Sequence, residues 1–182
     1  MLFEAWEVIQ DFLATGGQVL ALIFATTLAL WTLILERSLF LKKDFPSLAK
    51  SIKQEWDKRG DKDSWDAHQI RLAKISQAQQ ALSERIPLIK TLVSVCPLLG
   101  LLGTVTGMIA VFDVMAVTGT GNARLMASGI SMATIPTMAG MVASLSGLYM
   151  GSWLEGKAKV ETEKLSESLV FQEIVRTKES GI

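Results

Sequence analysis

The chain has 182 residues, with eighteen basic residues against eighteen acidic ones, a single cysteine and a single histidine. Balanced charge gives no electrostatic footprint for nucleic acid, and Cys96 alone excludes an internal disulfide. His68 has no His or Cys near it to complete a metal set, so it reads as a surface residue, and no metal or cofactor is expected. Nearly half of the residues (49%) are hydrophobic, and no charge falls in the runs 12–35, 91–112 and 125–154. Each run exceeds the roughly 20 residues that a helix needs to cross a bilayer core. The composition therefore predicts an all-α integral membrane protein with three transmembrane helices and long cytoplasmic helical extensions.

Residues 1–15 form the first predicted element, a short amphipathic helix at the membrane surface with Trp6 at headgroup level. Glu4, Glu7 and Asp11 precede the first apolar run and no Lys or Arg does, the reverse of a basic secretory leader, so the run reads as a retained anchor. The Gly16-Gly17 pair supplies a hinge into the first span, 16–36, which ends at Trp31 and the Glu36-Arg37 pair. Nothing in that span suggests chemistry, and it reads as an outer helix facing lipid.

Residues 37–89 form a cytoplasmic helical segment broken near Gly60-Asp61, with Trp56 and Trp65 read either as a grip for a partner or, in their more frequent use, as membrane-interface anchors. A 3-4 spacing of apolar residues begins at Leu72 and runs through Ile75, Gln79, Leu82, Ile86, Ile89, Val93 and Cys96. It continues onto Gly100, Gly103, Gly107 and Ala110, then Val114 and Val117. This predicts one long seam along a partner helix, with Leu and Ile giving way to Gly where water gives way to lipid. Pro87 and Pro97 must bend or interrupt it.

The second span is 90–117. Gly100, Gly103 and Gly107 fall within roughly 60° on its helical wheel, since each residue turns about 100°. Thr104 lies at the edge of this smooth stripe, which lets a second backbone approach closely. Asp113, about one turn from the outer end, reads either as an interfacial residue facing water or as the point where a cation enters. A short loop, 118–127, leads to the third span, 128–154, whose stripe of small residues includes Gly129, Gly140 and Gly147. Thr137 and Ser144 border that stripe. Residues 155–182 form a cytoplasmic C-terminal helix with Val160, Leu165, Leu169 and Ile174 on its apolar side.

Lys and Arg set the orientation. Twelve of the eighteen lie in 37–90, five follow residue 154, one lies in the 118–128 loop, and the N-terminus has none. The positive-inside rule puts the N-terminus and the loop outside, with the middle segment and the C-terminal tail in the cytoplasm.

Two stretches carry a resemblance. Pro97-Leu98-Leu99-Gly100-Leu101-Leu102-Gly103-Thr104-Val105-Thr106-Gly107-Met108 resembles the signature of the ExbB/TolQ/MotA family of ion-channel subunits of bacterial inner membranes. Gly129-Ile130-Ser131-Met132-Ala133-Thr134-Ile135-Pro136-Thr137-Met138-Ala139-Gly140 resembles that family's third membrane helix, and the three-span plan is closest to ExbB and TolQ. The resemblance implies a pentameric ring around a pore lined by Thr104 and Thr137, with Ser144 on the same helix face. It also implies an ExbD- or TolR-like single-span partner and a TonB- or TolA-like protein that carries the work onward. ExbB relatives usually carry glutamate where Met132 stands, so here the third span lacks the family's acid. On the residues alone, a threonine hydroxyl in a span equally well bonds back to a carbonyl of the preceding turn. A structural scaffold and a self-sufficient cation channel are the competing readings, and no residue points to an enzyme.

Overall fold

In the computed structural model, residues 2–62, 64–119 and 123–169 are described, with side chains from Gly17 onward except those of Thr118, Ala123 and Leu125. Four helices occur among them: α1 (Leu2–Asp57), α2 (Trp65–Ser83), α3 (Ile86–Thr118) and α4 (Ala123–Ser168). No strand occurs among the described residues. Gly17 is the one non-helical position inside α1, at φ 66° and ψ −165°, a backbone region that glycine enters without steric cost. The reading of Trp6 lies outside the described side chains, and that of Ile174 outside the described residues.

Local chemistry sets the helix ends. Ser64 caps α2 through its hydroxyl, which accepts from the Ala67 amide at 3.1 Å, and the Asp61 carboxylate accepts from the Ser64 amide at 3.1 Å. At the end of α3, Gly119 takes φ 75° and its amide donates to the Met115 carbonyl at 2.9 Å, a left-handed glycine cap. Pro46, Pro97 and Pro136 lie inside α1, α3 and α4 without ending them, whereas a two-residue break at Glu84-Arg85 precedes Pro87.

The chain divides into two compact units, Met1–Leu33 with Leu88–Met150, and Ile34–Pro87 with Gly151–Ile182. In the first, Val19, Leu20, Ile23 and Leu30 of α1 are buried, as are Val93, Cys96 and Val111 of α3 and Ala133 and Ala143 of α4. The stretches Gly17–Asp57, Trp65–Val117 and Met126–Ser168 are each long and apolar enough to cross a membrane. In the second unit, a core forms from Phe45, Ile52 and Trp56 of α1, Ala67, Ala78 and Leu82 of α2, and Ala158 and Leu165 of α4. There the Arg71 guanidinium donates to the carbonyls of Leu169 at 2.6 Å and Ser166 at 2.7 Å, closing the end of α4.

Three sequence expectations change. Trp56 is 4% exposed inside the second unit rather than an interfacial anchor, because it shares a helical stripe with Phe45 and Ile52; Trp65, at 74% exposure, does not. The seam holds from Leu82 to Gly107 but fails at both ends. In α2, Leu72 and Gln79 are exposed and Ala67, Ala78 and Leu82 are buried. That stripe shows eleven-residue spacing rather than heptad spacing, as a helix close to straight requires. Beyond Gly107 the buried residue is Val111 rather than Ala110, and Val114 and Val117 are exposed. Finally, Val160 is exposed, and Ala158 takes its place beside Leu165 and Leu169.

Candidate functional site

The antiparallel contact of α3 with α4 in the first unit is built on absent side chains. A Cβ placed on Gly100 would stand 2.9 Å from the Thr137 Cα and 3.1 Å from the Pro136 carbonyl oxygen. One on Gly103 would lie 2.5 Å from the Pro136 Cβ, and one on Gly107 2.5 Å from the Ala133 Cα. From the other side, a Cβ on Gly140 would meet the Cys96 carbonyl oxygen at 2.5 Å. At Gly147 it would meet Leu30 of α1 at 2.6 Å and Val93 of α3 at 2.7 Å, and at Gly129 it would collide with the Val111 side chain. All six glycines thus lie where a neighbouring helix comes close, with backbone atoms in the way at Gly100, Gly107 and Gly140 and side chains at Gly103, Gly129 and Gly147. In lipid such contact replaces the hydrophobic drive, since apolar side chains gain nothing by leaving apolar solvent.

The hydroxyls are engaged with backbone. Thr137 Oγ1 donates across the pair to the Gly100 carbonyl at 2.9 Å, while Thr104 Oγ1 donates within its own helix to Leu101 at 2.7 Å. Thr106 donates to the carbonyls of Leu102 and Gly103, both at 3.1 Å, and Thr134 to Ile130 at 3.1 Å. A hydroxyl has one proton, so one that is donated leaves only acceptor lone pairs to face outward. Thr104, Thr137 and Ser144 are half-buried, and Thr137 and Ser144 lie seven residues apart on one face of α4. The structure thus joins Thr137 to the α3–α4 contact. Asp113 stands apart from that contact, exposed near the end of α3.

Met132 is half-buried, and its Cε would lie 3.8 Å from a Cβ built on Gly17, so this side chain points toward the kink of α1. An open groove of about 600 Å³ separates α1 from α4, walled by Leu20, Phe24, Trp31, Met138 and Val142 among others. Its two hydroxyls, on Thr27 and Ser146, return to carbonyls of their own helices. The groove is oily and offers no path for a cation. Among the described residues, no group of three or more His, Cys, Asp or Glu is placed to hold a metal ion.

Sequence reasoning missed Arg37, which is 2% exposed. Its Nε donates to the Leu82 carbonyl at 3.2 Å, its Nη2 donates to the Ala81 carbonyl, and its guanidinium lies 4.6 Å from the Phe40 ring centroid. The neighbouring Glu36 pairs with Arg85 at 2.9 Å. A charged pair closing an apolar run looks like an ordinary membrane boundary, and no local signal distinguishes this one.

Three membrane-capable helices make the chain a multi-pass membrane protein. Comparison with known proteins agrees with this architecture. Residues 41–167, more than half of the chain, match the model of the MotA/TolQ/ExbB proton channel family. The chain is similar to ExbB-like 1 of Synechocystis sp., a biopolymer transport protein by its name, at 45% identity over 66 residues. That match covers 35% of this chain and 26% of the relative. It is also similar to ExbB-like 3 of the same organism, likewise named for biopolymer transport, at 36% identity over 86 residues, 46% of this chain and 41% of that protein. The matched stretches span less than half of either relative's length. The close-packed membrane helices and the matched residues 41–167 together show that the chain belongs to the MotA/TolQ/ExbB proton channel family.

Proposed function

We propose that this chain is an ExbB-like stator and channel subunit of a bacterial inner membrane. Several copies, five by family resemblance, pack α3 and α4 into a ring around the single membrane helix of an ExbD-like partner. Proton flow then moves ring against partner, and a TonB-type protein carries the work across the periplasm for outer-membrane transport. The biopolymer-transport names of the relatives favour this over a TolQ-like role in envelope maintenance.

One observation carries the reading: both motif threonines spend their protons on backbone carbonyls, in spans without Asp, Glu, His, Lys or Arg from 91 to 112 and from 125 to 154. A relay group must titrate, and a threonine hydroxyl does not. Thr104 and Thr137 therefore offer acceptor lone pairs alone. An acceptor suits the protonated form of a carboxylic acid, which has an O–H to give, and has nothing to donate to the carboxylate. The titrating acid accordingly belongs to the partner helix, and these threonines hold it while it is neutral and crosses the membrane interior, where a charge is costly. Ser144 extends the same face.

Reconstitution in liposomes tests this division of labour. The purified protein alone should give no flux driven by a pH gradient, and adding an ExbD-like partner should produce it. Asp113→Asn should leave most of the coupled flux. Robust flux through the partner-free protein, abolished by Asp113→Asn, would place the titrating acid in this chain and overturn the reading.

A further inference from the structure

The chain has four prolines, and three of them lie inside helices that continue past them. Only beside Pro87 is the helix interrupted, by a two-residue turn at Glu84 and Arg85. Proline chemistry alone does not account for the difference. Pro87 lacks the amide that would reach the Ser83 carbonyl, but so do Pro46, Pro97 and Pro136 lack theirs at their own positions. What sets this site apart is Arg37, whose guanidinium takes the carbonyls of Ala81 and Leu82. In a continuous helix those two oxygens would accept from the amides of Arg85 and Ile86.

We propose that Arg37 holds this break open: it is a helix cap supplied by α1, and it decides whether α2 and α3 are two helices or one. The alternative state lies close by. Glu84 already has helical dihedrals, φ −49° and ψ −43°, so the helix can close with little change of backbone. The two states differ in which donors satisfy Ala81 and Leu82, the forked guanidinium or the backbone amides. The guanidinium wins because it has nowhere else to go. At 2% exposure, releasing the carbonyls would leave a buried cation without its hydrogen bonds, a cost larger than that of two neutral amides left without a helical partner. Phe40 covers the guanidinium face, and the Glu36–Arg85 pair fastens the break from the adjacent residue of α1. Two consecutive side chains of α1 thus grip one two-residue break, and any movement of α1 near residue 37 acts directly on it.

Amide hydrogen exchange of the full-length protein in lipid nanodiscs reads the difference, with the opposite sign from a packing defect. In Arg37→Met the amides of Arg85 and Ile86 should exchange about fivefold more slowly or better, as each gains a helical hydrogen bond. Amides of α4 at 154–165 should keep their rates. Arg37→Leu, which likewise carries no donor, should shift the two amides in the same direction if the methionine variant does not fold. Pro87→Ala with Arg37 intact should leave them fast. Unchanged or faster exchange at Arg85 and Ile86 in both Arg37 variants, or closure of the break in Pro87→Ala alone, would overturn the proposal.

Discussion

The Thr137 hydroxyl donates to the Gly100 carbonyl, 2.9 Å away on the facing helix, and this bond exists because Gly100 lets the two backbones come so close. A residue that lines a channel in the proposed function is thereby also fixed in orientation by the contact it borders. Thr137→Val removes the bond while keeping the shape. It should cost about 0.6 kcal/mol of stability and at most about 1.7, the range of interhelical hydrogen bonds in membranes. Thr137→Ser should restore it. If the threonine also serves the partner's acid, coupled flux in Thr137→Val falls far more than so small a loss of stability explains. Thermal unfolding in detergent and liposome flux, measured together, separate the two effects.

Glycines should divide sharply by position. A Cβ on Gly107 meets the Ala133 backbone at 2.5 Å, whereas one on Gly156 meets nothing within 4 Å. Gly107→Leu should therefore destabilise the α3–α4 pair by about 1–3 kcal/mol or more. Gly156→Ala, at an exposed helical position, should stabilise by about 0.5–1 kcal/mol through the restricted unfolded chain. Denaturation midpoints in one detergent would show opposite shifts for the two variants.

The two tryptophans that flank the α1–α2 connection should behave unlike each other. Trp56 is buried in the core of the second unit and Trp65 is 74% exposed. Trp56→Ala should cost about 3–5 kcal/mol, and Trp65→Ala about 0.5 kcal/mol or less. Proteolysis of the region around α2 offers a second readout, with rapid cleavage expected for the first variant alone.

Orientation rests on the uneven distribution of Lys and Arg and is open to labelling. In a Cys96→Ser background, cysteines placed at Ser64 and at Arg124 should differ toward an impermeant maleimide on intact spheroplasts. Only the one at 124 should react before lysis. Reaction at 64 would reverse the proposed topology.

What the sequence determined by itself are properties of composition along one stretch of chain. Transfer of some twenty apolar residues into lipid depends on what they are and hardly on their neighbours, so the charge-free runs 12–35, 91–112 and 125–154 could be read as spans directly. The glycine stripe was legible for a similar reason: three small residues on one helix face have few uses in a membrane other than close approach. Tertiary structure decided the matters that depend on distant pairs. Whether Thr137 would donate to its own helix or to Gly100, 37 residues away, depends on which residue the facing helix presents. Nothing near Trp56 in sequence shows that α2 and α4 will cover it. The heptad reading of α2 failed because Ala67 and Ala78, rather than Leu72 and Gln79, face the core that α1 and α4 supply. The break at Glu84-Arg85 lies opposite Arg37, 45 residues from the Leu82 carbonyl it binds. A buried arginine and a boundary arginine are the same letters in a sequence; only the carbonyls that meet the guanidinium tell them apart.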